Sequence, residues 1–125
     1  MDKKRILVVD DEPQMLDLIR IRLEANNYEV ITSCDGKDGL QKAGEFMPDA
    51  IILDIMMPGL DGGDMAAQIK SKKETRGIPI IFLSCLVEKQ DEPIKRQVMG
   101  EDAYFIAKPF ETQVLLSVIN KVINS

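Results

Sequence analysis

The chain has 125 residues, of which 45% are hydrophobic and 30% are charged, and its formal net charge is −5. This size and composition are typical of one globular domain, so we expect a single domain over residues 1–125. The acidic balance argues against direct binding of nucleic acid, because the phosphate backbone selects for an excess of lysine and arginine. Histidine is absent, which excludes histidine-based catalytic triads and histidine-ligated zinc.

The sequence predicts a cytoplasmic location. The first residues lack the long apolar stretch of a signal peptide, and no apolar run approaches the length of a membrane span. The two cysteines, Cys34 and Cys85, do not form a CxxC spacing. These features favour a protein with reduced thiols and no membrane partner.

Five apolar runs predict strands. In chain order they are Arg5–Val9, Tyr28–Thr32, Ala50–Leu53, Pro79–Leu83 and Ala103–Ile106. The first, third and fourth are continuous apolar runs, which is typical of strands that are buried on both faces. The second and fifth are shorter or more polar, so we expect them to flank the others.

Five amphipathic segments predict helices. The first has Pro13 in its opening turn and ends before Asn27, a residue that tolerates a left-handed backbone. The fourth is predicted to be short, with Asp91 as its cap and Pro93 in its opening turn. The second helix is predicted to begin at Asp35 or Gly36 and to end at about residue 46. The remaining helices are predicted at 61–71, 91–99 and 111–123.

Strands that alternate with helices predict an α/β fold with a parallel sheet covered on both faces. Right-handed crossovers favour a flavodoxin-like, doubly wound sheet of five strands in the order 2-1-3-4-5, with five helices. In that order the chain reverses direction between strands 1 and 3. Ligands bind outside the carboxyl ends of the strands at such a point, so we expect the functional site there.

Polar residues follow four of the predicted strands at that edge. They are Asp10, Asp11 and Glu12 after the first strand, Asp54 after the third, Ser84 after the fourth and Lys108 after the fifth. Carboxylates this close together repel one another unless a cation lies among them, and hard oxygen ligands suit Mg²⁺. Any single aspartate can instead be a helix cap, but four strand ends that converge on one edge argue for a magnesium site.

Four motifs in this order resemble the receiver domain of two-component response regulators, the CheY-like family. They are ILVVDDEP at 6–13, LDIMMPGLDG at 53–62, FLSC at 82–85 and KPF at 108–110. The resemblance covers essentially the whole chain. It implies a phosphoacceptor switch that takes its phosphoryl group from a phosphohistidine on a sensor histidine kinase or a histidine phosphotransfer protein. It also implies a signalling protein that catalyses only its own phosphorylation and dephosphorylation.

The resemblance assigns roles to the residues of the acidic edge. Asp54 would be the phosphoacceptor and would also contribute to the Mg²⁺ site. Asp11 would bind Mg²⁺ directly, Asp10 mainly through water, and Met56 through its backbone carbonyl.

A second set of roles concerns the phosphoryl group and the switch. Lys108 would pair with one phosphoryl oxygen and Ser84 would hydrogen-bond another. Phe105, three residues before the lysine, would be the aromatic that turns inward, with Tyr104 as the alternative. The output face would combine the fourth helix, the fifth strand and the last helix. This face would meet a downstream protein or a fused output domain, and it leaves a homodimer open.

Two apolar residues near the acceptor, Met56 and Leu86, would flank the path of the hydrolytic water. We expect them to hinder hydrolysis and to give a long-lived phosphorylated state; the alternative is that both only pack against neighbouring loops.

Three other functions fit less well. A haloacid-dehalogenase-type phosphatase needs a DxDx[TV] motif after the first strand, which DDEPQ at 10–14 does not supply. A flavin mononucleotide carrier needs a phosphate-binding loop after the first strand, and the acidic residues at that position would repel the phosphate. A degenerate receiver that signals by binding alone would not need the intact set of Asp54, Ser84 and Lys108.

Overall fold

The computed structural model describes residues 3–55, 62–84, 94–98, 101–108 and 110–124. Within them the strands are β1 (Arg5–Val9), β2 (Glu29–Ser33), β3 (Ala50–Asp54), β4 (Ile80–Ser84), β5 (Ile94–Val98) and β6 (Glu101–Ala107). The helices are α1 (Pro13–Ala25), α2 (Gly36–Phe46), α3 (Gly62–Ser71) and α4 (Thr112–Ile123).

The strands form one sheet in the order β2-β1-β3-β4-β6-β5. All neighbours in the series from β2 to β6 are parallel. This confirms the predicted flavodoxin-like order 2-1-3-4-5, with β6 as the fifth parallel strand. The carboxyl ends of β1 and β3 therefore lie side by side at the centre of one edge.

The core lies in two layers, one on each face of the sheet. Successive side chains of a strand point to opposite faces, so Ile6 packs with α1 and α4 whereas Leu7 packs with α2 and α3. Burial of each leucine or isoleucine stabilises the fold by about 1.5 to 3 kcal/mol. The helices contribute Leu16, Ile19 and Leu23 from α1, Ala43 from α2, Met65, Ala66 and Ile69 from α3, and Leu115, Val118 and Ile119 from α4.

The ends of α1 follow the predicted signals. Pro13 stands in its first turn, where a missing N–H costs no hydrogen bond. Asn27 has a φ of 71°, and the next N–H, of Tyr28, donates back to the carbonyl of Leu23. This closing bond satisfies one of the last carbonyls of the helix, so the left-handed residue expected after α1 is confirmed.

The short helix predicted at 91–99 is wrong for the residues that the structure describes there. Ile94–Val98 is instead β5, which pairs with β6 in an antiparallel arrangement. The two strands are close in sequence, since β5 ends at Val98 and β6 begins at Glu101. A helix of so few residues is marginal by itself, whereas pairing with β6 gives the segment a ladder of backbone hydrogen bonds. The described ranges therefore hold four helices instead of five, and a sixth strand at the edge of the sheet.

Among the described residues, none of the helices is both long enough and apolar enough to cross a bilayer.

Candidate functional site

Backbone pairing brings three predicted site residues to one edge of the sheet. Asp10 directly follows β1, and its N–H donates to the carbonyl of Ser33 at 3.1 Å. Asp54 is the last residue of β3, the strand beside β1. Lys108 directly follows β6, and its N–H donates to the carbonyl of Ser84 at 3.1 Å. Each residue thus continues a strand, which fixes where its side chain begins.

The ammonium of Lys108 lies among the carboxylates of this edge. Its Nζ is 3.0 Å from Asp10 Oδ2, 3.3 Å from Asp54 Oδ2 and 4.0 Å from Glu12 Oε1. The side chains of Asp10 and Asp54 are 0% and 6% exposed, and that of Lys108 is 14% exposed. Two buried carboxylates therefore share one largely buried cation, which offsets part of their desolvation and mutual repulsion.

Burial and the neighbouring charges have opposite effects on the pKa values of Asp10 and Lys108. Burial raises the pKa of the Asp10 carboxyl, and it outweighs the Glu12 N–H and the Lys108 ammonium, which act to lower that pKa. Burial alone would lower the pKa of Lys108, but the hydrogen bond to Asp10 and the charges of both carboxylates raise it. Lys108 therefore remains the cation of the site at neutral pH, and Asp10 is the group that is costly to ionise.

A cluster of four carboxylates at this edge can hold a metal ion. One carboxylate oxygen from each member lies within 4.8 Å of the others. The members share hard oxygen donors, which is the chemistry that Mg²⁺ prefers. They are Asp10, Asp11, Glu12 and Asp54. One lysine cannot neutralise four carboxylates, so the cluster fits a divalent cation.

The two oxygens of Asp10 already have protein partners. Oδ1 accepts the N–H of Glu12 at 2.9 Å, and Oδ2 accepts the ammonium of Lys108 at 3.0 Å. Asp11 and Glu12 in contrast are exposed at the mouth of the site. Asp10 therefore shapes the loop that carries the other two carboxylates.

The predicted switch residues lie beside the acidic edge. Ser84 ends β4 and is 2% exposed. Phe105 is opposite Phe82 in the register and stacks on it, with ring centroids 4.9 Å apart. Tyr104 packs on the other face of the sheet, where Lys121 Nζ is 5.8 Å from its ring centroid. Phe105 thus shares a face of the sheet with Phe82, two residues before Ser84.

Met56, to which the resemblance assigns a metal-binding carbonyl, lies outside the described residues, and so does Leu86, which is predicted with Met56 to hinder hydrolysis. Asp91 and Pro93, the predicted cap and opening-turn residues of the short helix, lie outside them too. The long-lived phosphorylated state stays a prediction.

The sequence places Glu12 at this edge but assigns it no role, and it gives no sign that Ser33 or Asp38 is connected to the site. Glu12 directly follows the acidic pair, and its position in that run was the available signal for a fourth carboxylate. Ser33 reaches the site only through the register of β2 against β1, which the sequence does not show. Asp38 contacts Ser33 and belongs to the same arrangement.

The chain is similar to curated and to structurally characterised proteins. It matches the response regulator receiver domain model over residues 6–120. It is 38% identical over 107 residues to the alkaline phosphatase synthesis transcriptional regulatory protein PhoP of Bacillus subtilis. The aligned residues make up 86% of this chain and 43% of that protein. It is also 32% identical over 119 residues to protein PilH of Pseudomonas aeruginosa, and here the aligned residues make up 95% of this chain and 97% of that protein. The chain thus spans less than half of the first relative and nearly all of the second.

A solved structure of the same kind resembles the whole chain. It is the receiver domain of a sensor histidine kinase from Pseudomonas aeruginosa, with a magnesium ion coordinated in the active site cleft. Its TM-score is 0.84 at 28% identity, and the match covers 98% of this chain and 99% of that one. The matched family model, the relatives and the fold agree with the four motifs and the acidic edge. The chain belongs to the response regulator receiver domain family of two-component systems.

Proposed function

We propose that Asp54 accepts a phosphoryl group from a phosphohistidine, in a reaction that depends on Mg²⁺, and that the chain acts as a switch. The donor is a sensor histidine kinase or a histidine phosphotransfer protein. The observation that carries the proposal is the position of Asp54, buried at the end of β3 and 3.3 Å from Lys108 Nζ, within the four-carboxylate cluster. We further propose that residues 1–125 form one cytoplasmic receiver domain and not a conventional enzyme.

The metal would be held by Asp11 directly, by Asp54, and by the backbone carbonyl of Met56, which lies outside the described residues. Asp10 would act mainly through water, which is supported by the protein partners on both of its oxygens. Glu12 lies at the mouth of the cluster and adds negative charge there. When bound, Mg²⁺ supplies positive charge for the oxygens of the group being transferred.

Asp54 and Lys108 would carry out the transfer together. The carboxylate oxygen of Asp54 forms the new bond to phosphorus as the phosphorus–nitrogen bond of the phosphohistidine breaks, and the imidazole nitrogen keeps the electron pair. Such reactions need positioning and charge neutralisation more than covalent chemistry by the protein. Lys108 is held by Asp10 at a distance from which its ammonium can pair with a phosphoryl oxygen on Asp54.

The switch would begin with the charge on Asp54. Phosphorylation adds roughly 1.5 to 2 negative charges and strong hydrogen-bond acceptors. Ser84 would donate to one phosphoryl oxygen, and Phe105 would leave its stack on Phe82 as the chain adopts its active state. The output face would combine β6 with α4 and the β5 edge, where a helix was expected, and would meet a downstream protein, a fused output domain or a second copy.

The test is the intact mass of the protein after incubation with acetyl phosphate and Mg²⁺. We expect wild type to gain the mass of one phosphoryl group, and Asp54→Ala to gain none. EDTA should abolish the gain, because the metal neutralises the charge of the transferring group.

The matched control is Asp17→Asn, an exposed aspartate on α1, which should be phosphorylated like wild type. No gain of mass in folded wild type would contradict the proposal. It would favour a receiver that keeps the fold and signals through binding alone.

A further inference from the structure

A hydrogen-bonded cluster ties the end of β2 to the first turns of α2. The hydroxyl of Ser33 donates to Asp38 Oδ2 at 2.7 Å and is 3.0 Å from the carbonyl oxygen of Asp35. Lys42 Nζ is 3.0 Å from the same Asp38 oxygen and donates to the carbonyl of Thr32 at 2.7 Å. We call Ser33, Asp38 and Lys42 the β2 clasp.

The β2 clasp is connected to the acidic edge through the backbone of Ser33. In the parallel register Ser33 lies opposite Val9, the last residue of β1. The carbonyl of Ser33 accepts the N–H of Asp10. Ser33 therefore contacts Asp38 through its hydroxyl and the start of the Asp10–Glu12 loop through its backbone. Asp10 in turn accepts the N–H of Glu12, which shapes the loop as far as α1.

The β2 clasp places a buried hydroxyl and a carboxylate side by side at the start of α2. Ser33 is 3% exposed and lies on the face of β2 that packs towards α2, where an apolar residue would also be buried. A hydroxyl there requires a partner, and Asp38 provides one. The hydrogen bonds from Ser33 and Lys42 lower the pKa of the Asp38 carboxyl, so the partner is ionised at neutral pH. Hydrogen bonds to an ionised group are shorter and stronger than neutral ones.

We propose that the β2 clasp positions the Asp10–Glu12 loop for metal binding, through the bond between the Ser33 carbonyl and the Asp10 N–H. Ser33, Asp38 and Lys42 are then positioning residues, because none of them is a member of the carboxylate cluster. The inference rests on the proposed function, in which this cluster holds Mg²⁺. It adds a second layer of residues that sets how well the cluster is arranged before the metal arrives.

The test measures the Mg²⁺ dissociation constant by calorimetry, together with the free energy of unfolding by urea. Loss of a group bonded directly to a metal ligand weakens binding about 10- to 100-fold, and the β2 clasp acts one backbone bond further away. We therefore expect Ser33→Ala to raise the dissociation constant by about three- to tenfold. Asp38→Asn should do the same, and since this side chain is 41% exposed, the variant should fold.

Lys42→Met separates positioning from overall charge. If only long-range charge mattered, removal of a cation would strengthen the binding of Mg²⁺. Loss of the β2 clasp should instead weaken it, because Lys42 holds both Asp38 and the carbonyl of Thr32. In the double variant Ser33→Ala/Asp38→Asn, the weakening should not exceed that of either single variant, because both remove one shared contact.

Thr75→Ala is the matched control. Thr75 is also 3% exposed, and its hydroxyl donates to the carbonyl of Ile69 at 2.7 Å. It lies in the connection from α3 to β4, before the amino end of β4, whereas the acidic edge lies at the carboxyl ends of the strands. It should lose stability with no change in the dissociation constant. Equal dissociation constants for Ser33→Ala, Asp38→Asn and Thr75→Ala, or tighter binding by Lys42→Met, would overturn the inference. Failure of wild type to bind Mg²⁺ would instead count against the proposed function itself.

Discussion

Asp10 serves two opposing demands within one side chain. It is fully buried, and this burial raises the pKa of its carboxyl. It also holds the ammonium of Lys108 and the N–H of Glu12, which requires an ionised acceptor for the strongest bonds. The fold therefore stores an unfavourable charge at the place where a divalent cation would relieve it.

A pH-dependent gain in stability follows for Asp10→Asn without metal. The folded pKa of Asp10 lies above the value of 3.8 for an ordinary aspartate. Between the two values the folded state binds more protons than the unfolded state, so the free energy of unfolding falls as pH rises. Asparagine does not ionise, so the free energy of unfolding of Asp10→Asn does not fall with pH for this reason. We expect it to exceed wild type by about 1 to 3 kcal/mol at neutral pH, the range for relief of a desolvated polar group.

Urea unfolding in EDTA at several pH values would measure this difference. The advantage of Asp10→Asn should grow as pH rises above the ordinary aspartate value and become constant once the pH passes the raised pKa of the folded state, and Asp17→Asn on the exposed side of α1 serves as the control. An advantage that is already constant from the ordinary aspartate value upward would contradict the assignment of this charge to Asp10.

At the scale of the element, α2 shows how one helix can need glycine at one turn and not at another. Gly39 faces the sheet, where an added Cβ would lie 2.8 Å from Met65 Cε and 3.0 Å from Val9 Cγ2. Gly44 lies on the exposed side, and an added Cβ there would have nothing within 4 Å. Close approach of α2 to β1 and α3 explains the first glycine, and packing does not explain the second.

Two alanine substitutions within α2 should therefore have different effects. Gly44→Ala should raise the free energy of unfolding by about 0.5 to 1 kcal/mol, because alanine loses less backbone freedom and favours the helix. Gly39→Ala gains the same propensity but must displace Met65 and Val9, so we expect it to be less stable than Gly44→Ala by about 1 to 3 kcal/mol. Thermal and urea unfolding of the two variants would test this, and equal stabilities would refute the close approach seen here.

At the scale of the whole molecule, the chain carries a net negative charge, and four of its carboxylates lie close together. The net charge is −5, and four carboxylates converge at the carboxyl edge of the sheet. A ligand that binds only the folded state raises its stability by mass action. Mg²⁺ should therefore stabilise the entire fold, although it would contact only one edge.

The expected gain from Mg²⁺ is about 2.7 kcal/mol at a concentration one hundred times its dissociation constant. Asp11→Asn should lose most of this gain, because Asp11 is the proposed direct ligand and is exposed, so its replacement should leave the fold intact. Unfolding midpoints with MgCl₂ and with NaCl at matched ionic strength would test this. An equal gain in both salts, or in wild type and the variant, would show general screening in place of a bound ion.

The sequence alone determined the parallel order of five strands and the residues that follow them. Both depend on local features that survive without tertiary information: unbroken apolar runs for strands buried on both faces, and polar residues directly after those runs. The right-handed crossover then leaves few arrangements, so the edge at which Asp10, Asp54 and Lys108 meet could be named in advance. The end of α1 could also be predicted from local sequence, because asparagine tolerates the left-handed backbone that Asn27 adopts there.

Only the tertiary structure decided the rest. Residues 94–98 form a strand because β6 lies beside them as a partner, and no propensity within the segment shows that. The contact of Lys108 with Asp10 joins residues 98 positions apart in the chain. The β2 clasp reaches the site only through the register of Ser33 against Val9. Each of these depends on which backbones become neighbours, and that is set by the packing of the whole sheet and its helices rather than by the residues concerned.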